Sequence, residues 1–156
     1  MNRGRGAAPR RRARELALQG LYQRQVGGED PSAIRAHWET DPGNAHVDRA
    51  FLDELWRGVN TEQDAMLGEL SPHLDRPARD VSPIERAILI IGAWELTHRL
   101  ETPYRVVINE AVELAKAYGG IDGHRFVNGV LDKLAARVRA DEIAARARER
   151  ASRDGG

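Results

Sequence analysis

Apolar side chains return at three- and four-residue intervals through most of this chain. From Arg10 to Val26, the residues Ala13, Leu16, Ala17, Gly20 and Leu21 share one face, the pattern of a helix with one side against a core. Gly27-Gly28 stops it. Asp30-Pro31 reads as an N-cap with proline in the first helical position, opening a short helix with Ile34 and Trp38. Asp41-Pro42-Gly43-Asn44 is a turn cluster. A third helix is predicted from about Val47 to Val59, burying Phe51 and Leu55, and Thr61 can cap a fourth with Ala65, Met66 and Leu70. Two prolines make Ser71 to Asp80 a connector. Ser82-Pro83-Ile84-Glu85 is a capping box. The helix it opens is apolar on nearly every side through Ile91, which makes it the buried central helix. Thr102-Pro103 starts the next, with Tyr104, Val107, Ile108, Ala111, Ala115 and Tyr118 on its core side and Gly119-Gly120 as its stop. A last clear helix holds Val127, Val130, Leu131, Leu134 and Val138.

No convincing strand and no repeat of solenoid length interrupts this series. The expectation is an all-α fold of six or seven helices, in two halves that meet near the central helix. Residues 1–9 read as a disordered basic leader rich in Gly and Arg, residues 10–140 as one helical domain, and residues 141–156 as an Arg- and Ala-rich tail, partly helical or disordered.

Composition supports one core: 156 residues, 41% of them hydrophobic. The longest apolar run, Ala87 to Trp94, is far shorter than the roughly 20 residues of a membrane span. No apolar run follows the basic start, so a secretory signal is not expected and a cytoplasmic location is. The chain has no Cys, which excludes disulfides, Cys-ligated zinc and a thiol nucleophile. His37, His46, His73, His98 and His124 are scattered without metal-type pairing. There is no GxxxxGK[ST] loop and no GxSxG elbow. Neither enzyme activity nor a cofactor is expected.

Charge changes the picture more. The net charge is zero, yet Arg3, Arg5, Arg10, Arg11, Arg12 and Arg14 all precede the first acid, Glu15, which makes a local basic patch. Arg10 and Arg14 stack on one helix face. Their guanidinium groups suit phosphate, and positive charge at a helix start opposes the macrodipole, so helix stability does not explain the placement. The competing reading is a solvated helix start. Arg137 and Arg139 are taken as control positions outside the patch, where substitution should do little. Phe126 points roughly 95° from the centre of its helix's core stripe, beside His124 and Arg125. It is either an edge-of-core residue or a ring that stacks on an unpaired base. Asp122-Gly123 would bring the anion-favouring N-terminus of that helix nearby. Asp122 itself has three readings: helix cap, acceptor for a base donor, or a charge that limits affinity by repelling phosphate. Gly129 inside a helix costs about 1 kcal/mol relative to Ala, which predicts close approach by another helix. Asn128 hydrogen-bonds either within the fold or at such a base-stacking surface.

Three segments then resemble one family together: Arg10 to Tyr22 (RRRARELALQGLY), Ser82 to Leu96 (SPIERAILIIGAWEL), and Thr102 to Leu134 with TPYRVVINEAVELAKAYGG and HRFVNGVLDKL. Each is similar to the corresponding part of the NusB family, in the same order and at similar spacing. The likeness runs from about Arg10 to Val138; the leader and the tail depart from it and inherit no role. The resemblance implies an all-helical fold of two small bundles. It implies pairing with NusE, which is also a small-subunit ribosomal protein, and binding of the pair to single-stranded boxA RNA in nascent transcripts. The complex then helps RNA polymerase resist termination, chiefly on ribosomal RNA operons. On this chain it implies RNA contacts at Arg10, Arg11, Arg12, Arg14, Asp122, His124, Arg125 and Phe126, and NusE contacts at or near Tyr22 and Glu85. Two alternatives stand beside it: a protein-only scaffold, and the NusB-like domain of a ribosomal RNA methyltransferase. The second needs a further domain for the methyl donor, and a chain ending at Gly156 disfavours it.

Overall fold

The computed structural model describes residues 2–155, with side chains from Ala7 onward. Its helices are α1 (Asn2–Gly27), α2 (Pro31–Thr40), α3 (Arg49–Thr61), α4 (Gln63–Leu70), α5 (Pro83–His98), α6 (Tyr104–Tyr118), α7 (Gly123–Val138) and α8 (Ala140–Asp154). Short 3-10 turns occupy Pro42–Asn44, Ser71–His73 and Ala78–Asp80. Among the described residues there is no strand, so the class is all-α. The expected leader of residues 1–9 falls partly outside the described side chains; the bounds of α1 begin within it.

Local chemistry sets most boundaries. Gly28 takes the left-handed conformation (φ 69°) that ends α1. Asp30 accepts from the Ser32 N–H at 2.7 Å, and Asp48 from the Phe51 N–H at 3.0 Å, each satisfying a donor of the first turn. Ser82 accepts from the Glu85 N–H at 3.2 Å and donates its hydroxyl to the Glu85 carboxylate. The expected cap at Thr61 does not form. α3 stays helical through Thr61, and α4 begins after Glu62 without a side-chain cap.

The central helix is α5, continuously buried from Ala87 to Leu96 and in contact with α1, α3, α4, α6 and α7. The predicted stripe of α1 is buried, and Trp38 meets Trp56 edge-on at 4.9 Å between ring centroids, tying α2 to α3. Close helix approach occurs at Gly58 rather than Gly129. A Cβ on Gly58 would overlap the Trp94 indole, whereas one on Gly129 would meet nothing within 4 Å. Asn128 donates within its own helix, to Asp132 at 3.3 Å.

The eighth helix exceeds the expected count, and Arg139 explains it. Arg139 is 3% exposed, so it is not the silent control position expected of it. Its backbone (φ −121°, ψ 28°) breaks the chain between α7 and α8. Its guanidinium donates to the carbonyls of Leu96 (2.7 Å), Arg99 (2.9 Å), Thr102 (3.0 Å) and Glu95 (3.3 Å). The Leu96 carbonyl at the end of α5 is satisfied in this way, while those of Glu95 and Arg99 also accept from the Arg99 and Thr102 N–H groups. Arg139 also pairs with Glu142, which accepts from the Tyr104 N–H at 2.9 Å. α8 thus supplies the acceptor for the first N–H of α6.

Candidate nucleic-acid and partner interface

The four arginines at the start of α1 diverge in their surroundings. Arg14 is 3% exposed and donates to both carboxylate oxygens of Glu95 at 2.8 Å, with Glu110 at 3.5 Å. Burial works against its charge, and the hydrogen bonds and charge of Glu95 outweigh it, holding the guanidinium firmly protonated. Arg14 is therefore a core ion pair, out of reach of an external ligand. Arg11 points outward, with 54% of its side chain exposed, and holds Glu110 through two hydrogen bonds at 3.0 and 2.6 Å. Arg12 donates to Asn44 at 3.1 and 3.3 Å and lies 3.6 Å from Glu15. Arg10 reaches Asp48 at 3.4 Å and covers the Phe51 ring at 5.1 Å.

A second cluster forms where α5 and α7 begin. Glu85 is half-buried, and a Cβ on Gly123 would come within 2.9 Å of its Oε1. The carboxylate that caps α5 therefore sits against the start of α7. Phe126 is partly buried against the core, and the Arg76 guanidinium lies 4.8 Å above its ring. Arg76 is an exposed residue of the connector, paired with Asp75 at 2.7 Å. Asp122 is exposed and makes no side-chain cap, which leaves two of its three readings. Arg125 is exposed and His124 half-buried. Arg76 was missed from sequence, because nothing local marks a connector arginine as the neighbour of a ring fifty residues on.

The two clusters lie along one helix. The Tyr118 hydroxyl donates to Glu15 at 2.9 Å, and Arg86 donates to Gln25 at 2.9 Å. Glu15 raises the Tyr118 phenol above its usual range, with burial adding to the effect. α1 thus runs beside α6 and ends at the start of α5, with the arginines toward one end and the Glu85 cluster toward the other. From Arg10 to Gln25 is about 22 Å at 1.5 Å per residue. Tyr22 is 39% exposed and has Val26 (61%) a turn later on the same helix. The core position expected for Tyr118 is not occupied: its ring is 41% exposed, and Ile121, just beyond, is 95% exposed. Among the described residues no group of His, Asp or Glu could hold a metal ion. Nor is any helix among them long and apolar enough to cross a membrane.

Comparison with known proteins matches this chain to one family. The NusB family profile covers residues 11–136. The chain is 57% identical to the transcription antitermination protein NusB of Azoarcus sp. (strain BH72) over 94% of each chain. It is 53% identical to that of Dechloromonas aromatica (strain RCB), over 88% of this chain and 84% of the relative. In structure it is similar to T. maritima NusB, with a TM-score of 0.71 at 26% identity over 81% of this chain and 90% of that one. A chain in the crystal structure of a plectonemic RNA supercoil shares the fold at a TM-score of 0.66 and 23% identity, covering 80% of this chain and 91% of its own. With its all-helical core, its matched length and more than half of its aligned residues shared with such relatives, the chain belongs to the NusB family of transcription antitermination proteins, which are not enzymes.

Proposed function

We propose that this protein binds single-stranded boxA-type RNA in nascent transcripts, together with NusE, and so supports transcription of ribosomal RNA operons within the RNA polymerase antitermination complex in the cytoplasm. Arg10, Arg11 and Arg12 contact RNA phosphates. Asp122, His124, Arg125 and Phe126 meet the bases and backbone at the other end of the same side. Tyr22 and Glu85 contribute to the NusE contact, where the exposed apolar residues Tyr22 and Val26 offer a surface a protein partner can cover. Arg14 takes a different part: it anchors the helix that carries the others.

The observation that carries this reading is the outward arginine cluster. Arg10 and Arg11 are held by the partly exposed carboxylates of Asp48 and Glu110, while Arg12 donates to the buried Asn44. Exposed ion pairs are worth only about 0–1 kcal/mol, so exchanging a carboxylate for a phosphate costs little. The span of about 22 Å along α1 suits an extended single strand better than a compact ligand.

The test is a titration of boxA-like RNA against the protein, alone and with NusE, at several salt concentrations. Changing Arg10, Arg11 and Arg12 together to Ala should weaken binding and flatten the log–log salt dependence by about 0.7 per lost contact. Arg137, an exposed position paired only with Glu69, serves as the control. Equal losses from the control and the triple variant would remove the case for a localised patch.

A further inference from the structure

Between the start of α1, the start of α6 and α8 lies an open groove of about 810 Å³. Arg10, Arg105 and Arg146 stand on its walls, one from each helix. The acids of the groove are already committed. Asp48 caps α3 through the Phe51 N–H, Glu110 holds Arg11 and Arg14, and Glu101 pairs with Arg99 at 3.0 Å. Among the described residues Arg105 and Arg146 each hold a single long ion pair, 3.5 Å to Asp132 and 3.3 Å to Glu142, and both lie over the Tyr104 ring, 5.1 and 5.8 Å from its centroid. The Glu142 carboxylate is moreover shared with Arg139 and the Tyr104 N–H. Thr102 adds a buried hydroxyl to the groove wall that has no partner among the described residues.

α8 extends this wall. Glu142, Ile143 and Arg146 are partly buried, so this side of the helix faces the domain. At 100° per residue, Arg150 and Arg153 continue the side of Arg146 for two more turns. By then the helix has run past the domain, and every described residue from Ala147 to Gly155 is exposed. A helix that packs carries an apolar stripe on its inner side; this one carries arginines. Arg150 makes no ion pair among the described residues, and Arg153 holds Glu149 only at 3.7 Å. This segment also lies outside residues 11–136, the part that matches the family.

We propose that Arg146, Arg150 and Arg153 of α8, with Arg105 and Arg10 across the groove, form a phosphate-binding wall for single-stranded RNA flanking the element recognised by the rest of the interface. The proposal rests on the RNA reading of Arg10, Arg11 and Arg12. The stripe from Arg146 to Arg153 is about 10 Å long, which extends the RNA path beyond the start of α1.

The experiment uses the full chain and two labelled single-stranded RNAs: a boxA-like element alone, and the same element with unpaired flanks. One variant carries Arg146→Gln, Arg150→Gln and Arg153→Gln; a second carries Lys at the same three positions. Circular dichroism checks that helix content is kept in both. The Gln variant is expected to bind the flanked RNA more weakly, with a salt slope shallower by about 2 if all three contacts are lost. The short element should be affected less, and the Lys variant should restore binding. Wild-type affinity and slope in the Gln variant on the flanked RNA would overturn the proposal, as would a loss that Lys does not restore. The Ala triple variant at Arg10, Arg11 and Arg12 separates the two readings. If it binds the short element normally, the RNA face itself is misplaced; if it fails and only the Gln variant is silent, α8 alone is removed from the interface.

Discussion

Arg11 and Arg14 are three residues apart and chemically identical, yet one faces solvent and the other is locked to Glu95 in the core. Breaking a buried pair leaves the partner charge uncompensated, at a cost of about 3–5 kcal/mol. Arg14→Ala should therefore lower stability to urea by an amount in that range. Arg11→Ala should cost about 1 kcal/mol or less; similar losses from the two would contradict the burial seen here. The charge cluster was legible in the sequence as a cluster, but its division was not, because Glu95 is 81 residues from Arg14. Phe126 poses the converse problem. Its offset from the core stripe was readable from helix geometry, and its cover by Arg76 was not. If its ring stacks on a base once Arg76 moves aside, Phe126→Ala should lose about 1–3 kcal/mol of RNA affinity. Phe126→Tyr should keep most of the binding and Phe126→Leu should not, with folding stability measured on the same samples. Full RNA affinity in the Leu variant would make Phe126 a core residue only.

At the scale of helices, the three- and four-residue periodicity located α1, α3, α5, α6 and α7, because each buries one long stripe or, for α5, nearly its whole circumference. The α7–α8 joint was not legible. Arg139 looks like any charged residue in an Arg-rich stretch, and its acceptors are carbonyls of α5 and of the loop that follows, visible only once the chain is folded. Glu142 makes the joint sensitive to acid. Burial disfavours its charge, but the Tyr104 N–H and Arg139 outweigh burial and hold its carboxyl below the usual 4.5. A depressed carboxyl contributes stability that is complete above its unfolded value and is lost as pH falls through the folded one. The stability advantage of the wild type over Glu142→Gln should thus be greatest at neutral pH. It should shrink as pH drops below about 4.5, measured as the difference in Tm across an acid series. A difference that stays constant with pH would leave Glu142 without a charge-dependent part in the α6 cap.

Across the whole molecule, one helix carries residues of both proposed surfaces. Arg11 and Tyr22 lie about 16 Å apart along α1, and the buried stripe of Ala13, Leu16, Ala17 and Leu21 fixes that helix to the core between them. Arg14–Glu95 ties its start to the end of α5, and Gln25–Arg86 ties its end to the start of α5. A helix held at both ends and along its middle transmits little bending, so each surface should act as an independent contact. Sites farther apart than about 7–10 Å with no shared partners add within about 0.5 kcal/mol. Arg11 bonds Glu110, while Tyr22 makes no side-chain bond among the described residues, so they share no partner. For assembly of protein, NusE and RNA, the loss from Arg11→Ala plus the loss from Tyr22→Ala should then equal the loss in the double variant. RNA binding without NusE should respond to Arg11→Ala alone. A coupling above about 1 kcal/mol between the two would mean that RNA and NusE meet each other across α1, or that the helix moves when either is bound.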